Sequence, residues 1–385
     1  MSQGRRDSAE IRTQLIREVE TFLAGDPGVA NLPEESSDDR FMELVQFQRR
    51  LNEKGLVVPA WPTDLGGRGI DVSDASVVSK ALGRGGAPEL INFVGTEVLA
   101  PALFKFAAKE DLVRWMPPMA SAEEIWCQMF SEPDAGSDLT SLRTKAEWTT
   151  RGTWKVSGQK VWSTWAQFAR WGLLLARTGI AESRHRGITA FVVDMHSDGV
   201  DVRPLRTMTG SSEFSEVYLD DLEIPDRSRI GEVDGGWTVA LSVLNAERGP
   251  YAIRRAALIE RSLTLALKKS ATSNPDPLLR QEVVRAYIGC RLLEHRIEAL
   301  VDQLSNGVTV GPESALTKLM MTNAEQQVSA LRGALDGARL MADGDHSQST
   351  VADEYLYSRA ASIYGGSSEI QRNVIGERLL GLPRE

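Results

Sequence analysis

A chain of 385 residues with 42% hydrophobic residues is long enough for two or three domains and a substantial buried core. Its formal net charge of -9 argues against general attraction to nucleic acid or anionic lipid. Cys127 and Cys290 lie far apart and outside any CxxC or Cys/His cluster, which supports neither a disulfide framework nor a zinc site.

The cellular setting is expected to be the cytoplasm, because two cysteines without a pairing pattern are typical of a reducing compartment. The first twenty residues carry charges where a signal peptide needs an apolar run. No later stretch of about 18 apolar residues is present, so no membrane-spanning helix is expected.

The first third of the chain has the periodicity of helices. Apolar residues recur at helical spacing from Ser8, which can cap the helix start, to Gly25, which can end it. Similar patterns predict helices over 38–54, 73–85 and 94–107. Residues 1–120 are therefore predicted to form an N-terminal helical domain.

The pattern changes in the middle third to short apolar runs bounded by Gly, Pro and Asp. These runs predict a small β-barrel-like domain over residues 121–232, with strands at 153–161, 171–177, 187–194 and 214–219. Long helical patterns then return and predict a C-terminal four-helix bundle over residues 233–385, with helices at 237–270, 276–306, 312–342 and 350–380. The predicted fold class is α+β.

One loop concentrates small, turn-forming and hydroxyl-bearing residues. Residues 131–138 read Ser-Glu-Pro-Asp-Ala-Gly-Ser-Asp, and such a loop can turn backbone N–H groups and hydroxyls toward an anionic ligand. We interpret it as a cradle for a flavin and a thioester. A plain surface turn is the alternative.

Glu247 is the candidate proton acceptor. In a helix starting near Trp237 it shares one face with Ala240, Leu244 and Tyr251, so it is expected along an apolar stripe. A desolvated carboxylate is a better base near neutral pH, whereas the alternative is a structural ion pair with an arginine. Pro250 predicts a kink one turn after Glu247.

A second candidate site follows the loop. In the segment 158–165, Trp162 and Thr164 are two residues apart, so both would face the same side of a strand and could hold a flat cofactor. A core position for the tryptophan is the alternative. Neither GxGxxG nor GxxxxGK[ST] occurs in a strand-to-helix setting, and no HExxH or GxSxG motif supports a metalloprotease or hydrolase.

Four ordered motifs together resemble the acyl-CoA dehydrogenase family across almost the whole chain: 61–67, 131–138, 158–164 and 364–372. The resemblance implies FAD as cofactor and oxidation of the Cα–Cβ bond of an acyl-CoA thioester to the 2,3-enoyl-CoA. A carboxylate would remove the α-proton, and the β-hydrogen would leave as hydride. An electron-transfer flavoprotein or a similar acceptor is the implied redox partner.

The resemblance also implies residue roles. It assigns contacts with the cofactor to eight residues: Gln128, Phe130, Ser131, Trp162, Ser163, Thr164, Ser367 and Glu369. It assigns contacts with the CoA thioester to Ser137, Asn245 and Arg248. The Gly365 N–H would help to hold the thioester oxygen, where negative charge develops as the α-proton leaves.

The position of the base departs from the majority of the family. Many members carry the catalytic glutamate at the position of Gly365, and a glycine cannot be a base. A minority place it on the first bundle helix in a Leu-x-x-Glu-Arg pattern, which residues 244–248 match as Leu-Asn-Ala-Glu-Arg. The resemblance therefore assigns the base to Glu247.

Two further motifs are missing. In homotetrameric relatives a neighbouring subunit holds the adenylate end of FAD through Arg-x-x-Phe-Gly and Gln-x-x-Gly-Gly, whereas this chain has Lys-Lys-Ser-Ala-Thr-Ser at 268–273 and Leu-Asp-Gly-Ala-Arg at 335–339. A second, different chain could supply these contacts in a dimer-based tetramer of α2β2 type, as in actinobacterial enzymes for steroid side-chain CoA thioesters. The alternative is a homo-oligomer in which Arg280 or Arg339 binds the pyrophosphate.

Two other functions remain open. The same architecture hosts flavin-dependent monooxygenases and oxidases, which would produce hydroxylated product or hydrogen peroxide. A non-catalytic flavoprotein that binds DNA is the third reading, and the acidic charge of the chain opposes it. Bulky, branched or steroid side-chain acyl groups are the expected substrates of the favoured dehydrogenase.

Overall fold

The computed structural model describes residues 2–25, 38–247, 249–273, 276–308, 310–337 and 349–383. Helices form the first third, with these bounds: α1 Ser2–Gly25, α2 Asp38–Glu53, α3 Val72–Gly85, a π-helix Val94–Leu99, α4 Ala100–Phe106 and α5 Lys109–Ala120. Asp71 caps α3 by accepting from the Ser73 N–H, and Gly86 ends it in the left-handed conformation that glycine adopts without strain.

The N-terminal helices share a core that the sequence periodicity predicts. Leu15 and Val19 of α1 are buried against Leu51 of α2 and Leu82 of α3. The π-helix continues directly into α4, and its Ala100 N–H donates to the Gly95 carbonyl, five residues back. It carries Glu97 toward the C-terminal domain, as described below.

The middle of the chain forms one eight-stranded sheet with the order β6-β7-β3-β2-β4-β5-β8, and β1 pairs in parallel with β4. Its strands are β1 Trp126–Met129, β2 Lys145–Trp148, β3 Thr153–Thr164, β4 Trp171–Arg177, β5 Ile188–Asp194, β6 Val200–Leu205, β7 Phe214–Pro225 and β8 Arg229–Ile230. The domain that was expected to be β-barrel-like is thus one sheet, and β6 and β8 lie at the two ends of its strand order.

Both faces of strand β4 are covered. Residues 172–177 are all buried, which explains an almost continuous apolar run instead of an alternating one. Strand β3 pairs with β7 along most of its length, but the register shifts between Lys160 and Ser163. This bulge lies at the candidate cofactor segment.

Helices return in the last third: α6 Gly236–Glu247, α7 Pro250–Ser273, α8 Pro277–Ser305, α9 Ser314–Asp336, α10 Ser349–Ser358 and α11 Ser368–Val374, followed by a π-helix Ile375–Leu379. Helices α7, α8 and α9 enclose one apolar core. The α+β class, helical at both ends with a β-domain between them, is confirmed.

Two helix boundaries differ from the prediction. The expected helix 237–270 is two helices, because α6 ends at Glu247 and Pro250 begins α7, where its missing N–H costs nothing. Tyr251 therefore belongs to a different helix from Glu247, so the predicted continuous face does not exist. The expected helix 350–380 is also divided, by a glycine turn before α11.

Among the described residues, no helix combines the length and apolar character needed to cross a bilayer.

Candidate active site

The structure brings Glu247, at the end of α6, against the glycine turn that precedes α11. A Cβ atom placed on Gly365 would lie 3.0 Å from Glu247 Oε1 and 3.1 Å from Lys318 Cε. Gly365 also has φ +63°, a conformation that side chains with a Cβ adopt only at a cost. Glycine at this position therefore leaves space for the Glu247 carboxylate.

The buried side-chain amide of Gln371 holds the glycine turn in position. Gln371 Nε2 donates to the carbonyl oxygens of Gly365 at 3.0 Å and of Gly366 at 3.1 Å. Ser367 caps α11 by accepting from the Ile370 N–H. Because both carbonyls are fixed, the orientation of the peptide groups in this turn is set by the protein, as a preformed oxyanion site requires.

Lys318 of α9 is a buried cation beside the same turn. Its Nζ donates to the Ala361 carbonyl at 2.7 Å and lies 4.1 Å from the centre of the Tyr364 ring. Sequence reasoning missed Lys318 and the role of Gln371. Lys318 lies on the buried face of α9, where a charged residue among apolar neighbours is the signal that could have found it.

The loop 131–138 and strand β3 form a second part of the site. The Val161 N–H donates to the Ser131 carbonyl at 2.9 Å, so Ser131 lies beside the segment that carries Trp162. Beneath the loop, Lys160 Nζ donates to Glu132 Oε1 at 2.8 Å and to the Phe130 carbonyl at 3.1 Å. The loop is thus fixed to β3 by a buried ion pair.

Trp162 has the features of a ligand-contacting aromatic residue. Its side chain is 59% exposed, and its φ of +60° is unusual for a bulky residue. The bulge between Lys160 and Ser163 accompanies this conformation. The core alternative for Trp162 is wrong, because an indole in the core is not so exposed.

The other predicted site residues differ in accessibility. Gln128, Ser131, Thr164, Asn245 and Ser367 are half-buried, and Ser137 and Glu369 are exposed. Phe130 and Ser163 are buried. Arg280 is exposed in the first turn of α8, whereas Arg248 and Arg339 lie outside the described residues.

Comparisons with known proteins match all three parts of the chain. The family models for the N-terminal, middle and C-terminal domains of acyl-CoA dehydrogenases match residues 10–123, 127–222 and 234–380. The chain belongs to the acyl-CoA dehydrogenase family. It is 35% identical over 349 residues to acyl-CoA dehydrogenase IpdE1 of Mycobacterium tuberculosis (strain ATCC 25618 / H37Rv), covering 90% of each chain.

Solved structures share the fold of this acyl-CoA dehydrogenase. A chain of the Tcur3481-Tcur3483 steroid ACAD superposes with a TM-score of 0.84 at 24% identity, covering 99% of this chain and 98% of that one. A chain of the ChsE4-ChsE5 complex from Mycobacterium tuberculosis superposes with a TM-score of 0.80 at 23% identity, covering 98% of both. At these identities the likeness establishes the fold alone.

FAD, the cofactor of this flavoprotein family, is compatible with the residues present. Trp162 offers an exposed aromatic face, and Ser163 Oγ and Gln371 Oε1 are buried atoms without a hydrogen-bond partner among the described residues. Buried polar atoms of this kind are usually satisfied by a ligand or an ordered water. The half-buried Ser131 and Thr164 flank the same segment.

Replacing Gly365 with alanine is expected to lower turnover by up to about tenfold, since the carboxylate would have to shift by only a few tenths of an ångström and a shift of about 1 Å costs roughly 100-fold. The new Cβ would press on Glu247 Oε1. The matched control is Gly307→Ala, because Gly307 has φ +68° but no atom within 4 Å of an added Cβ. Steady-state rates and thermal midpoints of both variants would be compared. Equal loss of activity in the two would contradict the steric role.

Proposed function

We propose that the protein catalyses the FAD-dependent α,β-dehydrogenation of an acyl-CoA thioester to the 2,3-enoyl-CoA, with Glu247 as the base. The observation that carries the proposal is the 3.0 Å approach between Glu247 Oε1 and the Cβ position of Gly365. Many family members carry their glutamate at that position. A carboxylate from α6 therefore reaches the place where the family needs a base.

Residues of this chain are proposed to accept the α-proton and to stabilise the negative charge on the thioester oxygen. Glu247 accepts the α-proton, and the Gly365 N–H stabilises the thioester oxygen while negative charge develops there. Gln371 holds the glycine turn in position through two hydrogen bonds. Bound FAD supplies a hydride acceptor for the β-hydrogen. Ser131, Trp162 and Thr164 are the residues proposed to hold its ring system, and Ser137 and Asn245 are proposed to contact the CoA thioester.

The substrate proposal is a bulky, branched or steroid side-chain acyl-CoA. Its support is indirect: one structural relative is described as a steroid ACAD. The proposed electron acceptor is an electron-transfer flavoprotein or a similar carrier. A cytoplasmic location is consistent with Cys127 and Cys290, which are both free and buried.

The proposed assembly is a heteromer of α2β2 type. Two structural relatives carry names that pair two chains, and the cross-subunit FAD motifs are missing here. Helix α8 also presents an apolar stripe to solvent, formed by Val284, Tyr287, Ile288 and Leu292, each about half exposed. Side chains at spacings of three and four lie on one helix face, so the stripe is suited to pack against another helix.

The flavin content of purified protein tests this assembly. The lone chain is expected to hold little FAD, and co-expression with a dehydrogenase-like partner is expected to give one FAD per unlike pair. Ile288→Glu should abolish this gain, because a charge cannot be buried in an apolar interface without a partner. Val113→Glu is the control, since Val113 is equally exposed at 51% on α5. One FAD per chain in the lone protein would contradict the shared site.

A further inference from the structure

A group of ionisable residues lies where the three parts of the chain meet. The dehydrogenation chemistry does not require this group. We call Glu89, Glu97, Glu213, Arg254, Arg255 and Tyr357 the interdomain polar cluster. Glu89 precedes the π-helix, Glu97 lies within it, Glu213 immediately precedes β7, and the other three belong to α7 and α10. Ionisable groups in such a place are costly, so they call for an explanation.

Contacts and electrostatics join the cluster across the domains. Arg254, only 1% exposed, donates to the Pro88 carbonyl beside Glu89. Burial raises the pKa of Glu97 to about 7, with Arg254 opposing and Glu89 adding to the shift. Burial and Glu89 likewise raise the pKa of Glu213 to about 7, against a hydrogen bond from Tyr357. Glu89 thus acts on both other carboxylates.

The cluster extends to the glycine turn that precedes α11. Burial raises the pKa of Tyr364, the residue before Gly365, and both Glu89 and Glu247 contribute to the increase. The Tyr364 hydroxyl donates to Glu325 Oε2 at 3.4 Å, and Glu325 is paired with Arg255. The Arg255 guanidinium lies 5.5 Å from the centre of the Tyr357 ring. Tyr364, Glu325 and Arg255 thus link the glycine turn beside Glu247 to the cluster.

Three polar atoms of the cluster have no hydrogen-bond partner among the described residues. They are Glu89 Oε1, Glu97 Oε2 and Arg254 Nε, all buried. Glu89, Glu97 and Glu213 are nevertheless only half-buried as whole residues. Leaving a buried polar atom without a hydrogen bond is unfavourable, so these three atoms are suited to a ligand that supplies the missing bonds.

The chemistry of the unpaired atoms selects the kind of group that fits. Two carboxylate oxygens accept hydrogen bonds and one guanidinium N–H donates one. A hydroxyl group can do both, whereas an alkyl group leaves all three atoms unsatisfied. A second carboxylate on the ligand would meet Glu89, Glu97 and Glu213, and Arg255 is already paired with Glu325. An anionic acyl group is therefore disfavoured.

We propose that the interdomain polar cluster selects acyl-CoA thioesters whose acyl group carries a hydroxyl, which donates to Glu89 or Glu97 and accepts from Arg254. This inference rests on the proposed function and narrows its substrate class. The hydroxyl must lie beyond the Cβ atom, because the Cα and Cβ atoms are the reacting atoms and must remain at Glu247 and at the hydride acceptor.

Matched thioesters test the selectivity. The ligands are 3-cyclohexylpropanoyl-CoA and its ring-hydroxylated and ring-carboxylated derivatives, with the hydroxyl at either of two ring positions. Calorimetry measures their affinity for the flavin-loaded Glu247→Gln protein, with the partner chain where FAD retention needs it, so that binding is separated from turnover. Flavin bleaching by the unsubstituted protein is recorded in parallel. We expect a hydroxylated thioester to bind about tenfold or more tightly than the plain one, the effect of a hydrogen bond to a charged group.

Variants of the cluster identify the residues responsible. In Glu89→Met and Glu97→Met the preference for the hydroxyl should fall toward unity, while affinity for the plain thioester is kept or increased. Glu110→Met is the control, since Glu110 is exposed on α5. Equal affinity for all ligands, tighter binding of the carboxylated one, or a preference that survives both variants would overturn the proposal.

Failure of the proposed function would look different. If the thioesters bind and bleach the flavin without regard to the hydroxyl, only the selectivity is wrong. If none of them binds or bleaches it, the dehydrogenase proposal fails as well. Should the methionine variants not fold, the comparison of ligands on the parent protein still decides the question.

Discussion

Replacing Glu247 with glutamine is expected to slow flavin reduction by substrate by roughly 10²- to 10⁴-fold, the contribution of a positioned general base. Glutamine keeps the shape of the side chain beside Gly365 but cannot accept the α-proton. Flavin content should be unchanged. Rapid mixing with acyl-CoA measures the rate, and Glu298→Gln is the control because Glu298 is exposed on α8. Bleaching at the parent rate would show that another residue is the base.

A relocated base provides a second test of the same geometry. Gly365→Glu combined with Glu247→Gly would place a carboxylate where many family members carry theirs. The atoms that a Cβ at residue 365 approaches belong to Glu247 and Lys318, so removing the Glu247 side chain makes part of the space available. We expect partial recovery over Glu247→Gly alone, reduced by the cost of φ +63°. No recovery would mean that the turn and α6 do not serve the same reacting atom.

Replacing Lys160 with methionine is expected to lower the free energy of unfolding by about 3–5 kcal/mol, the effect of leaving a buried charge without its partner. Lys160 is fully buried, and burial lowers its pKa to about 8 although Glu132 opposes the shift. For Glu132, burial acts to raise the pKa, but Lys160 and the Arg143 N–H lower it below its ordinary value. Denaturant unfolding measures the loss, and FAD retention should fall with it because the pair anchors the loop at Ser131.

The matched control for Lys160 lies on the same strand. Lys155 forms a 2.6 Å ion pair with Asp221, but both side chains are largely exposed, so Lys155→Met should cost less than about 1 kcal/mol. The double variant Lys160→Met/Glu132→Gln should recover part of the stability. The lowered pKa of Glu132 stabilises the fold at pH values above the ordinary pKa of glutamate. This stabilisation is lost as the pH falls below that ordinary value. The double variant should therefore be less sensitive to acid.

Sequence periodicity predicted the long elements well and the short ones poorly. Helices α2 and α3 begin and end within one residue of their predicted bounds, because amphipathic runs specify them locally and Asp71 and Gly86 cap α3. Strands β1, β2, β6 and β8 were not predicted, since two to six residues are too few to show a period. The division of the long helix at Pro250 was predicted as a kink, because a proline signal does not distinguish the two outcomes.

The site was predictable where local motifs define it and not where the fold assembles it. Glu247, Trp162 and the loop 131–138 follow from sequence patterns and a family resemblance. The approach of Glu247 to Gly365 depends on how α6 packs against a distant turn, and so do the positions of Lys318 and Gln371. Long-range packing of this kind has no signature in a single sequence.

The π-helix Val94–Leu99 gives the interdomain polar cluster an evolutionary consequence. A π-helical turn is equivalent to one extra residue inserted into an α-helix. Deleting that residue would restore regular helix and rotate the preceding side chains by about 100° relative to α4. Glu97 would then leave the cluster it shares with Glu89 and Arg254. If the cluster selects the acyl group as proposed, a single codon gained or lost, rather than a series of substitutions, is enough to change which acyl groups these enzymes accept.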